Sequence, residues 1–129
     1  MKRVLIADGS PVIRHGLCDL FQENGWDVCE EAADGREAIA KAQEVRPDII
    51  VLDISMPAMN GITAAHFLKK IVPEAHLILF TFLDGFFSAE AMRSSGISAV
   101  ISKSEARQLI VKAQSLVEAA NEPPMYNPR

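Results

Sequence analysis

Four side chains of the kinds that handle phosphate each lie at the end of a short apolar run. Asp8 follows Val4-Leu5-Ile6-Ala7, Asp53 follows Ile49-Ile50-Val51-Leu52, Thr81 comes late in His76–Phe82, and Lys103 follows Ser98–Ser102. Two carboxylates suit Mg²⁺, which takes one or two acids together with waters and phosphate oxygens. One carboxylate can act as a nucleophile and form an aspartyl-phosphate. A hydroxyl and an ammonium beside it stabilise a bound or transferring phosphoryl group. The densest signal surrounds Asp53, which leads directly into Ile54-Ser55-Met56-Pro57 and Met59-Asn60-Gly61.

The elements that must position these groups alternate regularly. Short continuous apolar runs read as strands buried on both faces. Strands are predicted over Arg3–Asp8, Asp27–Glu31, Ile49–Asp53, His76–Phe82 and Ser98–Ser102. Helices are predicted over Pro11–Asn24, Arg36–Val45, Ile62–Val72, Phe87–Ser95 and Glu105–Ala120. Ser10 is the expected cap of the first helix, Pro11 sits in its first turn, and Gly25 stops it. Asp34-Gly35 turns into the second helix, while Pro47, Pro73 and Gly96 close the second, third and fourth. Five strands each followed by a helix imply a doubly wound α/β fold with a parallel sheet between helix layers. In such sheets ligands gather at the carboxyl ends of the strands, near the switch in strand order. That is where the four side chains fall.

The chain has 129 residues, of which 49% are hydrophobic and 23% charged, which suits one globular domain. The expected division is a domain over residues 1–120 and a Pro-rich tail or linker start over 121–129. A net charge of −4 gives no support for a domain that grips nucleic acid through a basic face of its own. The apolar stretch Val4–Ala7 is too short for a signal or a membrane span, so a cytoplasmic location and no membrane partner are expected. Cys18 and Cys29 lack CxxC spacing and read as two buried thiols in a reducing compartment. His15, His66 and His76 share no ligand spacing and suggest no metal site. Phe86-Phe87 has two readings: one ring exposed at the edge of a partner surface, or a ring packed over the pocket beside Thr81.

The motif LDISMPAMNG, with Asp8 after the first strand, Thr81 after the fourth and Ser102-Lys103 after the fifth, resembles the receiver domain of two-component response regulators. The resemblance covers Lys2 to Ala120, and ADGSPVIRHGL is similar to the start of NarL/FixJ-type receivers, which carry a LuxR-type DNA-binding domain. It implies a flavodoxin-like fold with strand order 2-1-3-4-5 and five helices. It also implies a non-enzymatic signalling role in which a sensor histidine kinase phosphorylates Asp53. By position, the resemblance implies that Asp53 is the phosphoacceptor and Asp8 the outer member of the metal-binding acid pair. It further implies that Ser55 would lend a backbone carbonyl to Mg²⁺, that Thr81 would be the switch hydroxyl, and that Lys103 would pair with phosphoryl oxygens. Pro57 and Gly61 shape the loop. The surface of the fourth helix, fifth strand and fifth helix would serve a homodimer or partner. DNA would be reached only through a C-terminal domain outside this segment.

Three positions depart from the family pattern. Gly9 stands where a second acid is usual, which lowers the formal acid charge from −3 to −2, counting Asp8, Asp53 and the missing acid. Weaker Mg²⁺ binding is the expected result. Phe82 replaces a small residue and could narrow access to Asp53. Val100 occupies the strand-five switch position, where an aromatic ring is usual. Two readings follow: a phosphoacceptor receiver, and a pseudo-receiver that serves as an interaction module without phosphorylation. Plainer roles also exist: Asp53 as a turn acid, Asp8 as a helix cap, Thr81 as a strand former, and Lys103 as a solvated lysine. Asp84 could replace the missing acid, though a surface loop acid is its simpler reading. A dehalogenase-type phosphatase is set aside because Asp53-Ile54-Ser55 lacks a second acid. A flavodoxin is set aside because Asp8-Gly9-Ser10-Pro11 is a poor phosphate loop.

Overall fold

The computed structural model describes residues 2–82, 90 and 94–121. Strands β1 (Arg3–Ala7), β2 (Asp27–Ala32), β3 (Ile49–Leu52), β4 (His76–Thr81) and β5 (Ile97–Ser102) form one parallel sheet. Their order, β2-β1-β3-β4-β5, is the expected one. Helices α1 (Pro11–Glu23), α2 (Gly35–Val45), α3 (Gly61–Ile71) and α4 (Ala106–Asn121) cover the sheet. Five helices were expected, and the described residues hold four. The helix predicted over Phe87–Ser95 lies outside them apart from Glu90, Ser94 and Ser95, as do Asp84, Phe86-Phe87 and residues 122–129. The boundaries of the other predicted elements all agree to one residue.

Alternate residues of each strand point to opposite faces, and the core divides accordingly. Leu5, Ile50, Leu52, Leu77 and Leu79 face α2 and α3, which contribute Ala38, Ala42, Ala64, Ala65 and Leu68. Val4, Ile6, Ile49, Val51, Ile78 and Phe80 face α1 and α4, which contribute Leu17, Phe21, Leu109, Ala113 and Val117. The alanines are small enough for α2 and α3 to pack closely on this face of the core. Among the described residues, no helix is long and apolar enough to cross a membrane.

Side-chain caps start the helices where the sequence places them. Ser10 Oγ accepts from Ile13 N–H at 3.3 Å, and Asp34 Oδ1 accepts from Glu37 N–H at 2.8 Å. Asn60 Oδ1 does the same for Thr63 N–H at 2.9 Å. Beyond α1, Gly25 takes φ +81°, a left-handed conformation that favours glycine.

Strand β2 is an edge strand with a register shift, since Val4 pairs with Val28 but Leu5 pairs with Glu30. Cys29 is the skipped residue. The expectation of two buried thiols therefore needs correction: Cys18 is buried, whereas Cys29 at this bulge is half-buried, and both are free. Burial, followed by the neighbouring Glu31 carboxylate, pushes the Cys18 thiol up to about 11. Lys41 lies along the same edge, paired with Glu30 at 3.2 Å and Glu37 at 2.7 Å, and its ammonium donates to the Glu31 carbonyl. His15 and His66 are exposed and His76 is half-buried.

Two glycines make a direct test of packing. A Cβ on Gly61 would stand 2.8 Å from the carbonyl carbon of Asp53, against backbone that has little room to move, whereas a Cβ on Gly16 in α1 would meet nothing within 4 Å. Gly61→Ala should destabilise the fold by about 1–3 kcal/mol through overpacking. Gly16→Ala should stabilise it by about 0.5–1 kcal/mol through helix propensity. Urea unfolding followed by fluorescence of the single tryptophan, the buried Trp26, measures both.

Candidate functional site

The site is assembled by strand register. Ala7 and Leu52 are partners across β1 and β3, so the residues after them, Asp8 and Asp53, emerge side by side. The ladder continues one step further, with Asp53 N–H donating to Ala7 O at 2.9 Å and Asp8 N–H to Ala32 O at 3.0 Å. On the other side Thr81 pairs with Ser102 across β4 and β5, and Lys103 N–H donates to Thr81 O at 2.9 Å. The four side chains named from the sequence thus arise from neighbouring strand ends.

Asp8, Asp53 and Thr81 are the buried polar residues among those described, at 1%, 6% and 2% exposure. The Lys103 ammonium joins the two acids, 2.9 Å from Asp8 Oδ2 and 3.3 Å from Asp53 Oδ1. Its side chain is only 7% exposed, which rules out a solvated lysine. Asp8 Oδ1 accepts from Ser10 N–H at 2.8 Å, just before the helix, while Ser10 itself caps α1. The plainer reading of Asp8 as the helix cap is therefore incorrect. Asp8 Oδ2 accepts no well-aligned hydrogen bond from the described residues despite the nearby ammonium.

Arg14 holds the backbone here, a role the sequence did not reveal. Its Nη1 donates to the Asp8 carbonyl at 2.8 Å, and its Nε lies 3.2 Å from Glu31 Oε1. Asp8 follows β1 and Glu31 lies in β2, so the partners meet only in the fold and sequence spacing carries no signal for the contact.

The loop after β3 is tied at several points. Ser55 N–H donates to Asp53 Oδ1 at 3.3 Å, Gly61 N–H to Ile54 O at 3.1 Å, and Gly35 N–H to Met59 O at 3.0 Å. Met56 is buried and anchors the loop, while Ala58 adopts φ 62°. Gly9 faces this loop. A Cβ there would lie 3.6 Å from the Ser55 carbonyl oxygen, 3.3 Å from Pro57 Cδ and 3.8 Å from Ala33 O. Space beside Ser55 O is therefore open for a side chain at position 9, if Pro57 gives slightly.

The other departures also have places. Phe82 is 70% exposed, its ring centroid 5.7 Å from the Lys103 ammonium, so the ring stands beside the cation at the rim. Val100 is half-buried and packs against the core on the α2 and α3 side. No group of three or more His, Cys, Asp or Glu that could hold a metal occurs among the described residues. Asp8, Asp53 and the Ser55 carbonyl still form a donor set compatible with an ion that retains several waters, and Asp8 Oδ2, which accepts no well-aligned hydrogen bond, would be shared between that ion and the Lys103 ammonium. Chemically, the pocket offers a buried carboxylate beside a fixed ammonium, a second acid and a buried hydroxyl.

Comparisons with known proteins agree with this arrangement. The family model for the response regulator receiver domain matches residues 4–115. The chain is 40% identical over 123 residues to the chemotaxis protein CheY of Thermotoga maritima, covering 93% of this chain and 95% of that protein. It is 36% identical over 121 residues to the transcriptional regulatory protein LnrK of Bacillus subtilis, covering 92% of this chain and 54% of that one. Among solved structures, the response regulator TrrA of Thermotoga maritima in complex with Mg²⁺-BeF aligns with a TM-score of 0.81 and 31% identity. That alignment covers 90% of this chain and 99% of TrrA. With a parallel sheet in the expected order and a family match across most of its length, the chain belongs to the response regulator receiver domain family.

Proposed function

We propose that this receiver domain takes a phosphoryl group onto Asp53 from a sensor histidine kinase. The observation that carries the reading is the buried Asp53 carboxylate at the end of β3, with an ammonium 3.3 Å from its Oδ1. In the transfer, a carboxylate oxygen of Asp53 bonds to phosphorus as the bond from phosphorus to the donor imidazole breaks, and the imidazole leaves with that electron pair. Lys103 balances negative charge on the phosphoryl oxygens, and the Thr81 hydroxyl donates to one of them. Asp8, Asp53 and the Ser55 carbonyl would hold Mg²⁺, which when bound supplies further neutralisation of those oxygens.

The receiver unit spans residues 1–120 in this reading, with 121–129 as a tail or linker. The likeness to CheY over 95% of that protein and the likeness to LnrK over 54% of it support two kinds of output. The NarL/FixJ-like segment ADGSPVIRHGL favours transcription regulation, with DNA contacted through another domain. The surface for a homodimer or partner comprises the predicted fourth helix, β5 and α4, and the location is cytoplasmic. A second reading, a phosphorylation-independent interaction module, draws on Gly9, whose missing carboxylate leaves two acids already joined by Lys103.

Incubation with acetyl phosphate and Mg²⁺ should add one phosphoryl group by intact mass, and Asp53→Asn should abolish the addition. No uptake by the native chain at saturating Mg²⁺ would overturn the phosphoacceptor reading and leave the interaction module. Thr81→Val keeps the shape but removes the hydroxyl. It should slow uptake by roughly tenfold or more, since a hydrogen bond to a charged group is worth about 1.5–3 kcal/mol.

A further inference from the structure

We infer that Lys103 is the resident cation of the acid pocket and that Gly9 keeps it so. The resting pocket is closed by its own ammonium and takes up Mg²⁺ together with a phosphoryl group rather than ahead of it. The last clause rests on Asp53 as the phosphoacceptor, whereas the clamp itself does not.

The geometry is that of a bridging cation. The ammonium contacts both acids, and the side chains of Lys103, Asp8 and Asp53 are 7%, 2% and 8% exposed. Separating a buried charge from its partners is strongly unfavourable, so the lysine will not leave for a weakly held ion. Charge decides the competition. Asp8 and Asp53 contribute −2 and Lys103 +1, leaving −1 in the pocket. An acid at position 9 would make it −2.

Phosphorylation reaches the same value by another route. An aspartyl-phosphate carries about −2 in place of the carboxylate's −1, which brings the pocket to about −2. The phosphoryl oxygens thus supply the charge that Gly9 withholds. Backbone conformation does not impose the glycine, because position 9 does not adopt the left-handed region. A side chain there would start 3.6 Å from the Ser55 carbonyl, beside the donor set described above.

Urea unfolding, read by Trp26 fluorescence, tests the clamp without any measurement of activity. Between chelator and about 10 mM Mg²⁺, the folding equilibrium constant of the native chain should change by less than about twofold, and by about tenfold or more once beryllium fluoride is added. Gly9→Asp should gain about tenfold or more from Mg²⁺ alone, whereas Gly9→Asn, matched in shape but uncharged, should not. Lys103→Met, if it folds, should also become stabilised by Mg²⁺ alone. A native chain that gains as much from Mg²⁺ alone as Gly9→Asp overturns the inference, and so does a Gly9→Asp chain indifferent to Mg²⁺. If Gly9→Asp responds to Mg²⁺ but the native chain ignores even Mg²⁺ with beryllium fluoride, the clamp stands and the phosphoacceptor reading fails.

Discussion

A single ammonium shared by two buried carboxylates determines how the working edge of this domain is built. Asp8 and Asp53 emerge from adjacent parallel strands, and like charges so placed need a counter-charge. Lys103 meets that need from the far side of the sheet, with its backbone fixed to Thr81. Three strand ends are thereby joined through β1, β3 and β5, with β4 supplying the carbonyl that holds the lysine in position. Desolvation makes the arrangement demanding, because loss of the cation would leave two uncompensated buried acids.

The loop after β3 is the second constraint. It is short, carries Asp53 at one end and Gly61 at the other, and folds back until the first residue of α3 touches the Asp53 backbone. Glycine is required there by proximity. Gly35 serves the neighbouring helix similarly, since its N–H reaches Met59 O and a side chain would collide with Met59. Asp53 is thus held by backbone on both sides, which fixes the carboxylate without a large set of side-chain contacts.

Much of this was legible in the residues. The strands are short runs of Val, Ile and Leu with an abrupt polar end, and Ser10-Pro11, Asp34-Gly35 and Gly25 mark helix boundaries through local backbone chemistry. Asp8, Asp53, Thr81 and Lys103 could be grouped because parallel topology brings strand ends together. Features that depend on long-range geometry were not legible. The Arg14 contact joins α1 to β2 and to the residue just after β1, and the bulge at Cys29 depends on how β2 settles against β1. Asn60 as a cap was missed because the segment reads as part of the motif loop. The exposure of Phe82 could not be inferred either, since a ring at a strand end is as compatible with burial as with the rim.

The irregular edge at β2 bears on how copies of the domain can meet. An open strand edge is ordinarily a template on which another chain can extend the sheet. Here the skipped residue interrupts the repeat of donors and acceptors, acidic side chains crowd the margin, and Lys41 occupies the Glu31 carbonyl. A second strand would find neither a continuous ladder nor a neutral border. The domain is thereby protected on this flank from sheet-to-sheet polymerisation.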